Sequence, residues 1–317
     1  MMLNKFFSSK SDCEQPTIDF GICRYETIRK RSLYDSLFCK KSKTWKLRIR
    51  LFDRGLFIIG DSWGNSGRVT FTNAYAKTLL DYGARIIYIT ESLSGLNSDS
   101  KGNEILENMH EQIGFKNLQH DEVLISELSG EFDPKTFDKG VKLSIIKTNP
   151  GWKYKDDMAK GLYNTKLISL LNKIAESGIA SHDTPLNKRE VVVILEESQP
   201  LNESTRDELE KAMCWLKGKG FGLVVSTDDT RRYRGIVNSF GHYALFRMDD
   251  PYEEMFSHNF LMRDNSQSCS GLNQHVSRID ARDIKSLRKH DCFFVSRLKD
   301  NTDVNMFFVM LDSDKLS

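Results

Sequence analysis

The chain has 317 residues, of which 39% are hydrophobic and 28% are charged. This balance predicts a folded protein with a hydrophobic core and excludes a chain that is disordered throughout. The formal net charge of +2 excludes a polycation. No apolar run approaches the ~20 residues that a membrane-spanning helix needs, so we expect a soluble protein without a transmembrane segment. The six cysteines form no C-x-x-C pair, which predicts a reducing compartment and no metal site.

Positive charge is concentrated near the N-terminus. Residues 1–55 contain thirteen lysines and arginines against six acidic residues, whereas the remainder is net acidic. A basic block of this kind can bind an acidic protein partner, phosphates or anionic lipid. The other interpretation is a solvent-exposed surface without a binding role. We divide the chain into a basic N-terminal segment, 1–44, and an α/β domain, 45–317, in which 91–160 is an inserted or less regular subregion.

The first half of the domain contains a strand, a glycine-rich loop, a helix and a second strand. The apolar run Leu56–Ile59 predicts a buried strand, and Val69–Asp81 has the apolar spacing of a helix. Arg85–Thr90 predicts the next strand. A unit of this length predicts a parallel strand pair with a right-handed crossover.

The second half continues the alternation of strands and helices. The predicted elements are the helix Lys166–Glu176, the strand Val191–Leu195, the helix Ser204–Lys217, the strands Leu223–Ser226 and Tyr243–Met248, and a closing hairpin of Cys292–Ser296 with Met306–Leu311. This order predicts an α/β fold with a mostly parallel central sheet flanked by helices.

The glycine-rich loop has the setting of a phosphate-binding loop. It follows a buried strand and precedes a helix, where backbone N–H groups and the helix dipole favour an anion. Its sequence departs from G-x-x-x-x-G-K-[ST], because Arg68 takes the place of the lysine and Val69 that of the hydroxyl residue. If the loop binds phosphate, we expect Gly60, Gly64, Gly67, Arg68 and Thr70 to carry the binding.

The same loop permits a rival interpretation. Gly60 to Gly64 read G-D-S-W-G, and the block resembles the opening of GDSL-type esterases, with Ser62 as the nucleophile. No histidine precedes Ser62, and no Asp-x-x-His occurs near the C-terminus. A serine hydrolase therefore stays the second alternative.

Two acidic residues follow the strand Val191–Leu195. A carboxylate in this position can hold magnesium beside a triphosphate, and the next one can orient the attacking water. Glu196 stands where an aspartate is expected, and Glu197 has the place of the water-orienting acid. Asp228 follows the next strand. If the protein is an ATPase, Glu196, Glu197 and Asp228 are the predicted catalytic residues.

The order of these motifs resembles the motor domain of the type IV coupling proteins, the TraD-like relatives of the FtsK and HerA translocases. The resemblance rests on the glycine loop, the strand ending in Glu196-Glu197, the turn Lys217–Gly222 and the strand ending in Thr227-Asp228. It covers residues 45–90 and 185–312 and implies a RecA-like, P-loop-type fold. In the family the residue at Asp228 is a glutamine that senses the γ-phosphate.

The departures from the family pattern predict an inactive motor. Lysine, loop hydroxyl and glutamine are replaced together, and the resemblance then implies a pseudo-ATPase without a nucleotide cofactor or metal. The resemblance implies a protein-interaction subunit of a bacterial type IV secretion or conjugation coupling complex. An accessory subunit of a Dot/Icm-type coupling complex is one example of such a role. Its partners would be the active coupling ATPase and adaptors, at the cytoplasmic face of the inner membrane. We expect no nucleic acid partner, and the sequence leaves self-association undecided. The alternative function is that of an active translocase that uses ATP and Mg²⁺.

Overall fold

The computed structural model describes residues 21–24, 55–61, 66–90, 118–128, 131–138, 140–148, 157–181, 190–197, 203–229, 233, 236–248, 284–297 and 304–311. Three predicted features lie outside these residues: most of the basic segment, the centre of the glycine loop with Ser62 and Gly64, and residues 91–117 of the less regular subregion.

The described strands form one sheet. They are β1 (Gly21–Arg24), β2 (Leu56–Ile59), β3 (Arg85–Thr90), β4 (Val123–Glu127), β5 (Leu143–Lys147), β6 (Val191–Glu197), β7 (Gly222–Thr227), β8 (His242–Leu245), β9 (Asp291–Arg297) and β10 (Val304–Leu311). Their order across the sheet is β1-β10-β9-β8-β2-β7-β6-β3-β5-β4. From β8 to β4 all neighbouring strands are parallel, whereas the β8–β9, β9–β10 and β10–β1 pairs are antiparallel.

Helices cover both faces of this sheet. The described α-helices are α1 (Arg68–Asp81), α2 (Lys135–Asp138), α3 (Asp157–Glu176) and α4 (Glu203–Gly218). Phe71 and Tyr75 of α1 pack with Ile58 on one face. Leu167 of α3 and Leu209 of α4 belong to the hydrophobic cluster on the other face. The predicted α/β class, with a mostly parallel sheet flanked by helices, is confirmed. None of the helices in the described residues is long and apolar enough to cross a membrane.

The predicted elements agree with the structure where apolar spacing is clear. The structure departs from the prediction in two places. Helix α3 begins at Asp157, although apolar spacing predicts a helix only from Lys166. Its first turns carry Met158 and Leu162 in exposed positions, which hides the helical pattern. The N-terminal segment contributes β1, in which Gly21 pairs with Leu311 of β10. Four residues without alternating polarity give no local signal for a strand.

Candidate functional site

The glycine loop and the acidic strand meet at one edge of the sheet. Strand β7 lies between β2 and β6, and all three are parallel. Their carboxyl ends therefore share an edge, where open α/β sheets bind ligands. Arg68 beside Gly67 reaches Ser226, which pairs in register with Glu196. Gly67 and Glu196 therefore lie at the same edge of the sheet.

Arg68, which takes the lysine's place in the loop, is turned towards the sheet. Its side chain is 3% exposed, and its Nη1 donates to Oγ of Ser226 at 3.0 Å. Oγ of Ser226 is also 2.9 Å from Oγ1 of Thr72, one helical turn further along α1. The Nε of Arg68 is buried without a hydrogen-bond partner in the described part of the chain. The cation of the loop thus fastens α1 to β7.

Glu196 is held by hydroxyl groups. It is 4% exposed, and its Oε2 accepts from Oγ1 of Thr90 at 2.6 Å. The hydroxyl of Tyr88 lies 3.0 Å from the same Oε2 and 2.6 Å from Oδ1 of Asn73 on α1. Thr90 and Glu196 are register partners on β3 and β6, which explains this proximity. Two strands and a helix therefore converge on this carboxylate.

The environment of Tyr88 reflects the same cluster. Burial raises the pKa of Tyr88 well above its ordinary value, and the charge of Glu196 and its hydrogen bond raise this pKa further. The positive charge of Arg68 lowers the pKa and opposes these effects. Arg68 and Glu196 thus both act on the phenol of Tyr88.

The ends of the glycine loop are held by local contacts. Oγ of Ser66 donates to the carbonyl oxygen of Asp61 at 2.8 Å and accepts from N–H of Arg68 at 3.3 Å. Gly67 has φ +95°, a conformation that favours glycine. At Gly60, a Cβ atom would lie 2.5 Å from Cβ of Phe246. The end of the loop that follows β2 therefore requires glycine as well.

The turn before β9 lies against this loop. N–H of His290 donates to the carbonyl oxygen of Ser66 at 3.1 Å. A Cβ atom on Gly67 would lie 2.8 Å from Nδ1 and 2.9 Å from Cα of His290. Burial, followed by the charge of Lys289, lowers the pKa of His290, while Asp291 raises it. The sequence gives no local sign of this contact.

The structure describes some of the remaining predicted site residues and not others. Thr70 is half-buried in the first turn of α1, and Asp228 is half-buried directly after β7. The backbone of Glu197 pairs with Thr227 at the same edge. Gly64 and Ser62 lie outside the described residues, so the hydrolase alternative is not tested at its nucleophile.

The described cation and carboxylate at this edge are both hydrogen-bonded within the protein. Arg68 is directed at Ser226, and the printed sequence offers no second lysine or arginine between Gly60 and Thr70. Oε2 of Glu196 accepts from the hydroxyl group of Thr90. Within the described residues, no group of three or more His, Cys, Asp or Glu side chains is placed to hold a metal ion.

Comparisons with known proteins give fold-level likeness at low identity. No family model matches the chain, and no curated protein matches it. Among solved structures, it is similar to the bacterial conjugative coupling protein TrwBdeltaN70 at 11% identity and a TM-score of 0.47, over 84% of this chain and 86% of that one. It is similar to the genome packaging NTPase B204 from Sulfolobus turreted icosahedral virus 2 at 12% identity and a TM-score of 0.43, over 82% and 99%.

A third similar structure is the pCW3 conjugation coupling protein TcpA, at 14% identity and a TM-score of 0.40, over 87% of this chain and 66% of that one. At these identities and TM-scores the likenesses carry no functional argument. The functional argument depends on the residues of the site.

Proposed function

We propose that this protein is a RecA-like, P-loop-type subunit that does not hydrolyse ATP and acts through protein–protein contacts in a bacterial type IV secretion or conjugation coupling complex. The observation that carries the proposal is the direction of Arg68. The loop's cation is 3% exposed and bonded to Ser226 inside the protein. Phosphoryl transfer depends on positioned positive charge at the phosphates, so a loop whose cation is committed to the sheet is poorly equipped for it.

The acidic side of the site supports the same proposal. Glu196 accepts from Thr90 and lies within hydrogen-bond distance of Tyr88. Asp228 adds a carboxylate in place of the family's glutamine, and a carboxylate cannot donate a hydrogen bond to a phosphate oxygen. The sequence-level resemblance supplies the setting in a coupling complex, with an active coupling ATPase and its adaptors as partners.

ATP turnover tests the catalytic part of the proposal. The wild-type protein and Glu197→Gln are purified side by side and assayed for phosphate release with ATP and Mg²⁺. We expect the two preparations to release phosphate at the same background rate, because no step depends on Glu197. Turnover by the wild type that Glu197→Gln abolishes would establish the active-translocase alternative. Activity that is equal in both preparations and is lost on further purification comes from a contaminant, whereas activity that stays with the protein would contradict the proposal.

Co-purification tests the interaction part. We expect deletion of residues 1–15 to leave the circular dichroism spectrum unchanged and to weaken recovery of the coupling complex from the native cell. A matched variant, Phe6→Ala with Phe7→Ala, separates an aromatic anchor from general charge. Equal recovery of the deleted and full-length chains would remove this tail from the interface and favour residues 40–54 or 256–277. Localisation at the inner membrane would follow from the recovered partner.

A further inference from the structure

Strand β4 is the outermost strand on the parallel side of the sheet. Its one neighbour among the described strands is β5, so one row of its backbone N–H and C=O groups points away from the sheet. Ser126 and Glu127 at its carboxyl end are exposed. An open edge of this kind can be extended by the backbone of another strand.

The side chains of β4 are those of an interior strand. Val123, Leu124 and Ile125 are three successive apolar residues, a pattern typical of strands that are covered on both faces. Val123 and Ile125 pack against the hydrophobic cluster on the α1 face, and Leu124 packs against the cluster on the α3–α4 face. All three are nevertheless only half-buried. An apolar rim thus remains on each face of this edge.

The edge also lacks the features that commonly prevent strand addition. Proteins protect exposed edges with lysine, proline or β-bulges. Strand β4 has no lysine and no proline, and its one charged residue is Glu127. Its pairing with β5 is regular from Val123 to Glu127, without a bulge. The edge is therefore suited to receive a further strand.

The occupant of this edge must be extended and apolar on both faces. The backbone must be extended because the open groups repeat at the spacing of a strand. The side chains must be apolar because each face presents an apolar rim. A second copy of β4 meets both conditions. Two identical strands related by a two-fold axis can pair antiparallel, and each then presents the same surface to the other.

A two-fold axis through Ile125 gives this pairing a favourable register. Ile125 lies opposite Ile125 of the second copy, Leu124 lies opposite Ser126, and Val123 lies opposite Glu127. All five residues of β4 are then paired, and no two like charges in the strand are opposite one another. Because the axis is perpendicular to the sheet, the α1 faces of both copies lie on the same side, where Ile125 makes an apolar contact across the axis.

The neighbouring registers are less favourable. An axis through Leu124 would place Asp121 opposite Glu127, and like charges directly opposite destabilise a strand pair. An axis through Ser126 would pair only residues 125–127 of the strand. A shift by one residue would place the α1 face of one copy beside the α3–α4 face of the other. Only the register centred on Ile125 pairs the whole strand with its helix layers aligned.

We propose that β4 is a self-association edge, at which two copies of the chain join antiparallel about a two-fold axis at Ile125 and form one continuous sheet. An interface of one short strand from each copy is small, which predicts a weak dimer that forms as the protein concentration rises. The interface uses neither Arg68 nor Glu196, so the proposal does not depend on the proposed function.

Sedimentation velocity of the full chain from about 5 to 500 μM tests the association, because small interfaces give weak dimers. We expect the average mass to rise from that of the monomer towards that of the dimer. Amide hydrogen exchange at the two ends of this range locates the contact, and residues 123–127 should gain protection at the higher concentration. A monomer at every concentration, or a dimer whose added protection lies elsewhere, would overturn the proposal.

Charge variants test the register. Val123→Glu would place like charges opposite one another at two symmetric positions, so we expect the dissociation constant to rise at least about fivefold. Val123→Lys loses the same apolar side chain but would meet Glu127 with an opposite charge, and it should dimerise at least as tightly as the wild type. Combining Val123→Glu with Glu127→Lys should restore association. Equal dissociation constants for the folded Val123 variants would overturn the register and the proposal with it.

Two further variants keep the test decisive if the Val123 variants do not fold. Ser126→Val changes an exposed residue opposite Leu124, and it should tighten the dimer about twofold or more by adding an apolar cross-strand contact. Met158→Glu changes an exposed apolar residue on α3 and should leave the dimer unchanged. Circular dichroism checks the fold of each variant. Loss of the dimer in Met158→Glu, or no gain in folded Ser126→Val, would overturn the proposal.

Discussion

The guanidinium of Arg68 and the hydroxyl of Ser226 are joined by a hydrogen bond of 3.0 Å between the first residue of α1 and the end of β7. The position that supplies a mobile cation in an active phosphate loop is thereby part of the packing between helix and sheet. Thr72 extends the link by bonding to both the Arg68 carbonyl oxygen and the Ser226 hydroxyl. The site at this edge is therefore inseparable from the stability of α1.

Replacement of Arg68 should consequently affect stability. We expect Arg68→Met to lower the free energy of unfolding by about 1–3 kcal/mol, since it removes a buried charged donor and leaves Ser226 with fewer partners. Lys77→Ala, on the same helix but half-buried, should change it by less than about 0.5 kcal/mol. Urea unfolding followed by circular dichroism measures both. Equal effects would mean that the Arg68 contact does not stabilise the fold.

Apolar spacing predicts most of the sheet but not its polar interior. Strands such as β2 and β6 are short apolar runs, and burial on both faces follows directly from their composition. Tyr88 and Thr90 of β3 carry no sign in the sequence that they face Glu196. That contact arises from the register of β3 on β6, which is set by the whole sheet. Of the site, the sequence therefore predicts only the glycine loop and the acidic strand.

The contact of His290 with Gly67 is beyond local sequence reasoning for the same reason. More than half of the chain separates the two residues, and the antiparallel β9 brings them together. The positive φ of His290 is equally hidden, because histidine is enriched among residues with positive φ but most histidines still have negative φ. Glycine at position 67 is predicted as a phosphate-loop residue, whereas the structure adds a steric reason for it.

Thr90 and Thr148 form a matched pair for the Glu196 cluster. Both are almost completely buried, but Thr90 donates to Glu196, whereas Oγ1 of Thr148 has no hydrogen-bond partner in the described part of the chain. We expect Thr90→Val to lower the free energy of unfolding by about 1.5–3 kcal/mol, the range for hydrogen bonds to charged groups. Thr148→Val should be neutral or stabilising.

A double-mutant cycle with Glu196→Gln separates this bond from general packing. The coupling between Thr90→Val and Glu196→Gln should exceed about 0.5 kcal/mol, because the two groups share one contact. Additive effects in urea unfolding would contradict a direct interaction between Thr90 and Glu196.

Gly67 and Gly83 form a second matched pair. Both have positive φ, but a Cβ atom on Gly83 meets nothing within 4 Å, whereas one on Gly67 meets His290. Gly83→Ala should lower the free energy of unfolding by about 1–2 kcal/mol through backbone strain alone. Gly67→Ala should add a penalty of up to about 1–3 kcal/mol for overpacking, limited by the energy of undocking the turn. Equal losses of unfolding free energy in the two variants would show that the turn at His290 moves away from Gly67 without an energetic penalty.

His290 should make stability depend on pH. Its pKa in the folded protein is lowered from 6.5 because burial and Lys289 disfavour the charged imidazole, with Asp291 opposing them. The unfolded chain therefore binds more protons between the lowered value and 6.5, so the free energy of unfolding rises with pH in that window. The stabilisation is fully present above pH 6.5 and is lost as the pH falls through the lowered value.

The control for this pH dependence is His290→Asn, which keeps the turn conformation but cannot be protonated. We expect the difference in unfolding free energy between the wild type and His290→Asn to be constant above pH 6.5 and to move against the wild type below it. Urea unfolding from roughly pH 5 to 8 covers the range over which histidine titrates. A difference that does not change with pH would mean that the imidazole is solvated in the folded protein.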